Sequence, residues 1–295
     1  MSALVAAVFI AMGIVVRQRS TRHVPHEHSL SPRMVTTLAR QPLWWGGTIA
    51  AFGGYGFQAL ALSRGSLILV QPVLVTSLLF AMPVAARLGH RRVTGREWMW
   101  ALLLTVGIAL FVVIGHPRPG EHRQAALGWA VSGVVSLAVV ATCVVVAHRT
   151  HGRTRAALLS VAVAVLFALV AVLTKVSVVL LERGGLGLLL TRAPLYVLIV
   201  IAVGATLLQQ SAFHAGALQM SLPTMIVLEP IVAVALGVLV LGEHLGVGRV
   251  AAGELTVAVV VMVVATVALA RDAVLHEPPP VKPEPEPAGA GARAE

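Results

Sequence analysis

The chain has 295 residues, of which 58% are hydrophobic and only 12% charged, and its formal net charge is +10. A soluble domain carries about 25% charged residues, and one water-soluble core could not hide this much apolar surface. The mean hydropathy of +0.90 suits a chain whose solvent is the bilayer, and the arginines flank apolar runs in short loops, which excludes nucleic acid as the expected partner.

In chain order, nine segments read as membrane spans: residues 3–16, 44–62, 66–86, 98–114, 127–147, 156–181, 194–214, 222–241 and 250–270. The first is short for a hydrocarbon core about 30 Å thick. Either Met1 is not the natural start, or the helix continues through Arg17 and Arg19 with snorkelling side chains. It lacks the basic leading region and cleavage site of a signal peptide. Residues 17–41 form a polar, basic loop, with an interfacial helix expected around residues 32–39. The tail beyond residue 271 is rich in Pro, Glu and Ala, a composition expected to be disordered.

Alternating the spans places Arg17, Arg19, Arg22, Arg33, Arg40, Arg87, Arg91, Arg92, Arg96, Arg149, Arg153 and Arg155 on one side, twelve in all. The other side holds six: Arg64, Arg118, Arg123, Arg183, Arg192 and Arg249. The positive-inside bias makes the first side cytoplasmic. The N-terminus is then expected outside and the C-terminus inside, in the cell (inner) membrane.

The strongest internal signal is repetition. FQALAL at residues 57–62 recurs as FHAGAL at residues 213–218, and the helix that follows carries LVQP (69–72) in one copy and VLEP (227–230) in the other. Upstream, Phe9 precedes Arg17 by eight residues, as Phe167 precedes Lys175. Spans one to four thus match spans six to nine, with span five as connector. One added helix flips the second unit, so the expectation is an all-α polytopic membrane protein built from two inverted four-helix repeats. Its divisions are a first repeat (1–115), a connector with its loops (116–153), a second repeat (154–271) and a tail (272–295). Inverted repeats with a site at their interface are a common transporter plan.

The FxAxAL motif, the short break, the helix with a central Pro and the acidic hairpin end LGE (241–243) together resemble the drug/metabolite transporter superfamily over roughly residues 3–270. The stretch LWWGG (43–47), the Pro-bearing helix after it and a first half without its second helix resemble the NIPA-type branch, which is associated with magnesium. The chain departs from the general pattern at residues 87–89, where the first copy lacks the acidic residue that Glu243 supplies in the second. The resemblance implies a carrier and brings no substrate motif with it.

Polar groups at membrane depth are costly and usually face the bundle interior. Glu229, just before Pro230, could bind a proton, a cation or a cationic solute, or could simply hydrogen-bond between the repeats. Gln71 holds the equivalent place in the first copy. Gln209 and Gln210 lie mid-span, and Gln58 and His214 are equivalent positions in the FxAxAL motifs. These residues are the candidate substrate contacts, with helix-to-helix glue as the other reading of the amides and a solvated interfacial position as that of His214. Lys175 either snorkels outward or forms a charge pair with Glu254, which lies on the same expected side. Pro72 and Pro230 are candidate hinges. Gly53, Gly54 and Gly56, with Ala59 and Ala61, form a small-residue face suited to close packing.

With no Walker loop, no HExxH pair and one Cys, Cys143, within a span, neither an enzyme nor a cofactor is expected. Spans two, three, seven and eight are expected to line a central cavity. The leading expectation is a secondary transporter working by alternating access, such as a proton-coupled exporter of an organic solute. The alternatives are a magnesium or other divalent-cation carrier, a lipid flippase, and a non-transporting scaffold. The expected partners are the bilayer, a small-molecule or ion substrate, and a second copy of the chain as a candidate homodimer.

Overall fold

The computed structural model describes residues 1–21, 42–88, 92–118, 120, 126–214, 218–246 and 249–275. The expected interfacial helix at residues 32–39 and the tail beyond residue 275 lie outside them.

The described chain is all-α apart from two short strands. Its elements are α1 (Ser2–Thr21), α2 (Pro42–Arg64), α3 (Leu67–Val75), α4 (Ser77–Leu88), α5 (Gly95–Gly115), β1 (Pro117–Arg118), α6 (Ala126–His148), α7 (Gly152–Thr191), α8 (Ala193–His214), α9 (Leu218–Leu241), β2 (His244–Leu245) and α10 (Arg249–Leu275). Among the described residues, six helical stretches are long and apolar enough to cross a membrane: Leu67–Val84, Gly95–Gly115, Leu127–His148, Thr154–Thr191, Thr224–Leu241 and Gly253–Arg271. Ser2–Gly13 and Ala193–Gln209 are shorter apolar helices. Large apolar side chains stand on the outside of the bundle, with Leu127 74%, Phe52 72% and Val200 70% exposed. Such a surface is stable in lipid and not in water, so this is a membrane-embedded protein.

Local chemistry explains where the helices start, stop and bend. The first helix does continue through Arg17 and Arg19, ending at Thr21. α5 opens with a capping box: the Thr94 hydroxyl accepts from the Glu97 N–H at 3.2 Å, and the Glu97 carboxylate accepts from the Thr94 N–H at 2.7 Å. The third apolar segment is interrupted. Pro72 removes one backbone donor, and at Thr76 both the N–H (3.1 Å) and the hydroxyl (2.6 Å) turn back to the Val73 carbonyl. The tightened turn ends α3, and α4 restarts at Ser77. α9 runs unbroken through Pro230. The two candidate hinges therefore differ, with the break falling just past Pro72 and no break at Pro230.

A straight helix of 40 residues would be about 60 Å long, twice the hydrocarbon core. α7 avoids this with a kink at Gly184 and Gly185, the latter at φ 64. Gly242, also at φ 64, turns the chain back after α9. Gly242→Ala is expected to lower stability by about 1–2 kcal/mol, the cost of a left-handed L-residue, read as a reduced unfolding midpoint in detergent.

The helices pack in two groups that meet each other. α1 packs on α2 and on the α3–α4 pair; α7 packs on α8 and on α9. α5 pairs with α10, and α3 pairs with α9. Small residues permit these approaches. A methyl placed on Gly13 would lie 2.9 Å from the Ala51 nitrogen, and one on Gly54 would lie 2.7 Å from Ile10 Cγ1. Phe9 stacks on Phe57 with ring centroids 5.3 Å apart and lies against Gly53. Gly56, expected on the same packed face, meets nothing within 4 Å. α6 rests on α7 and touches α9, where Gly128 faces the Leu239 carbonyl.

α7 is the central helix. Ala168, Ala171 and Val172 on α7 join Leu62 of α2, Leu67 and Val70 of α3, and Ala233, Leu236 and Val240 of α9 in one buried cluster. At the end of the bundle that holds the α9–α10 turn, β1 and β2 pair antiparallel, with Pro117 opposite Leu245 and Arg118 opposite His244. The Gly246 N–H adds a bond to the Gly115 carbonyl at 3.0 Å. The α5–α6 and α9–α10 connections are thus tied together.

Candidate functional site

The first site grows from the N-terminus of α3. The first N–H groups of a helix have no intrahelical acceptors, and inside a membrane protein water cannot supply them. Ser66 provides one acceptor, its Oγ taking the Leu69 N–H at 3.2 Å. Glu243 provides two more, its Oε1 accepting from the Leu67 N–H at 2.7 Å and its Oε2 from the Ile68 N–H at 2.9 Å. A carboxylate is favoured there by the helix dipole as well. The left-handed turn at Gly242 sends the chain back, and the Glu243 N–H donates to the Gly237 carbonyl at 3.1 Å. Gly237 also clears the space, since a methyl there would stand 3.0 Å from Glu243 Oε2.

The Lys175 ammonium completes the cluster. It forms an ion pair with Glu243 Oε1 and donates to the Gly65 carbonyl at 2.9 Å. Glu243 is 1% exposed and Lys175 8%. A buried charge needs a partner and hydrogen bonds to be tolerable, and here each has both. The expected pairing of Lys175 with Glu254 is therefore corrected: Glu254 is exposed, on a helix that packs chiefly against α5. Lys175 points instead into the junction of α2, α3 and the α9–α10 turn. In the sequence, Glu243 was visible only as the acidic end of a hairpin, and the sole hint of this role was the Gly immediately before it.

The second site is a cavity of about 140 Å³. Pro72 and Val75 of α3, Phe111 of α5, Pro230 and Val234 of α9, and Met262 and Thr266 of α10 are among its lining residues. The lining is almost wholly apolar, and the Thr266 hydroxyl is spent on the Met262 carbonyl at 2.7 Å. The expected lining by the second, third, seventh and eighth spans is half right. The third and eighth are present, but the fourth and ninth take the places of the second and seventh. The small side chains Ala168 and Ala171 of α7 let α2, α3 and α9 close onto it in one buried cluster.

Among the described residues, the polar candidates Gln58, Gln71, Gln209 and Glu229 are not among the lining residues of the cavity. Gln71 is 3% exposed, and its Nε2 is buried with no hydrogen-bond partner among the described residues. Glu229 is partly buried. Neither lines the cavity, although the prolines that follow them both do. Successive helix residues are turned by about 100°, so Gln71 and Glu229 belong to the neighbouring helix faces. Gln209 is partly buried, with Nε2 4.0 Å from Met225 Sδ. Gln58 is partly buried. The side chains of Gln210 and His214 lie outside the described residues. Among the described residues no three His, Cys, Asp or Glu side chains gather as a metal-ligand group.

The chain is 38% identical over 273 residues to an uncharacterized protein of Corynebacterium glutamicum, an alignment covering 92% of this chain and 94% of that one. The chain belongs to the family of that protein. No protein-family model and no solved structure matches the chain.

Proposed function

We propose that the chain is a secondary transporter of the drug/metabolite type, moving a small solute by alternating access. In this reading it crosses the membrane nine times, as two inverted four-helix units (α1–α5 and α7–α10) joined by α6. Its N-terminus is outside and its C-terminus cytoplasmic. One observation carries the reading: Pro72 and Pro230, the matching prolines of the two motifs, line the same cavity between the halves. Two further parallels support it. Each half packs its first helix on its second and third, and the third and fourth helices of one half meet those of the other. Phe9 packs on the first FxAxAL motif, while Phe167 joins the cluster of Ala212, the residue before the second.

An apolar cavity with Glu229 and Gln71 on adjoining helix faces suits a solute with an apolar body and one cationic or hydrogen-bonding group. It suits a magnesium ion poorly, because that ion wants several oxygen ligands and retained waters. Lipid is a second reading with its own observation: the lining residues Ile231 and Val259 are 45% and 36% exposed, so the cavity opens on the bilayer-facing surface.

The test is flux in proteoliposomes, wild type against Glu229→Gln, with organic cations and metabolites under a pH gradient, magnesium, and a fluorescent phospholipid. Gradient-dependent organic flux that falls at least tenfold in Glu229→Gln is the expected result. Magnesium flux lost in the same variant would move the reading to the ion carrier. Lipid movement alone would move it to the flippase, and silence in all three with folded protein would leave the scaffold.

A further inference from the structure

Among the described residues, the two halves are joined at the end of the bundle that holds the α9–α10 turn. Glu243, at the end of α9, reaches the α2–α3 turn of the other half, where it meets the N–H groups of Leu67 and Ile68. Lys175 of α7 reaches the Gly65 carbonyl of the same turn. The β1–β2 pair joins the α5–α6 connection to the α9–α10 connection at that end as well. Arginine counting assigns this end to the outside.

From this we infer that the Lys175–Glu243 pair is an outer latch: closed here, it seals the bundle on the external side and must part for that side to open. The inference rests on the alternating-access reading, and it adds the moving part. A buried ion pair contributes little net stability compared with apolar residues of the same size, so stability alone does not account for its presence. It is, however, well suited to a two-state contact. Both charged groups leave a dry pocket together for water, and each is satisfied in either state. The partner of the carboxylate is also a helix terminus, so release of Glu243 frees the start of α3, whose other end carries Pro72 beside the cavity. Opening the outer end and reshaping the cavity are thereby coupled through one nine-residue helix. Gly237 is part of the latch because its bare Cα gives the carboxylate its seat.

The latch is tested in the full chain with Cys143→Ala and a reporter thiol at Ser66→Cys, a residue only 1% exposed beside the cluster. Labelling by a membrane-impermeant maleimide added from outside is timed in intact cells. Lys175→Met, and the neutral pair Lys175→Met with Glu243→Gln, are expected to speed labelling at least tenfold. Gly237→Ala keeps both charges and crowds the carboxylate, so it is expected to fold even where a charge deletion does not. Its expected acceleration is about threefold. Lys175→Arg is expected to stay within about twofold of the parent. Unchanged labelling in folded Lys175→Met and in Gly237→Ala overturns the latch, and so does acceleration seen only with label supplied from the cytoplasmic side. The readout needs no substrate. Faster labelling without solute flux would keep the latch and sink the carrier, whereas flux with unchanged labelling would do the reverse.

Discussion

Lys175→Met is expected to destabilise the protein by about 3–5 kcal/mol, the usual cost of stranding one member of a buried ion pair. The Glu243 carboxylate would remain 1% exposed, with only the Leu67 and Ile68 N–H groups to balance it. Glu243→Gln is expected to cost somewhat less. Its amide oxygen can still accept one N–H from the start of α3, and the Lys175 ammonium keeps the Gly65 carbonyl. The neutral pair Lys175→Met with Glu243→Gln should recover most of the loss, because no unpaired charge remains. The reversed pair, Lys175→Glu with Glu243→Lys, should not. It would aim an ammonium at the positive end of α3. Unfolding midpoints of the parent, the two single variants and the neutral pair in one detergent form a double-mutant cycle, with the reversed pair measured beside it. Additive single effects, or rescue by reversal, would show that the side chains do not act as described.

Filling the cavity is expected to have the second large effect, on transport and not on stability. Val227 lines the cavity and lies beside Leu228 and Glu229 near the middle of α9. Val227→Trp places an indole into a space of about 140 Å³ that is already apolar, so the unfolding midpoint should hold or rise. Solute flux should fall more than tenfold. Leu239→Trp is the control, since Leu239 is 63% exposed on the outside of the same helix, and its flux should stay near the parent's. If both Trp variants transport like the parent while Glu229→Gln does not, the solute path runs past Glu229 without entering this cavity.

The linear order of residues was enough to establish the membrane class and the long apolar helices, and it is what suggests pairing the two proline motifs. Each rests on a one-dimensional quantity: the length of an apolar run, the spacing of a motif, or the side on which an arginine falls. The helical state of the span-length runs follows because a backbone in lipid has to satisfy its own hydrogen bonds. The same order placed Lys175, Glu243 and Glu254 on one expected side of the membrane, and there its information ended.

Only the tertiary structure decided which acid Lys175 meets, which helix fills the centre and where the cavity lies. The reason is physical. In a soluble protein the polar face of a helix shows which way it turns. Here lipid-facing and core-facing sides are equally apolar, and Leu239, 63% exposed, is followed directly by Val240, 3% exposed. The rotation of each helix is set by small contacts, such as Gly54 on Ile10, Gly107 on Met262 and Gly237 beneath Glu243, which involve residues far apart in the chain. Glu243 meets Leu67 across 176 positions. Closing a separation of that length depends on how every intervening helix packs, which no local pattern encodes.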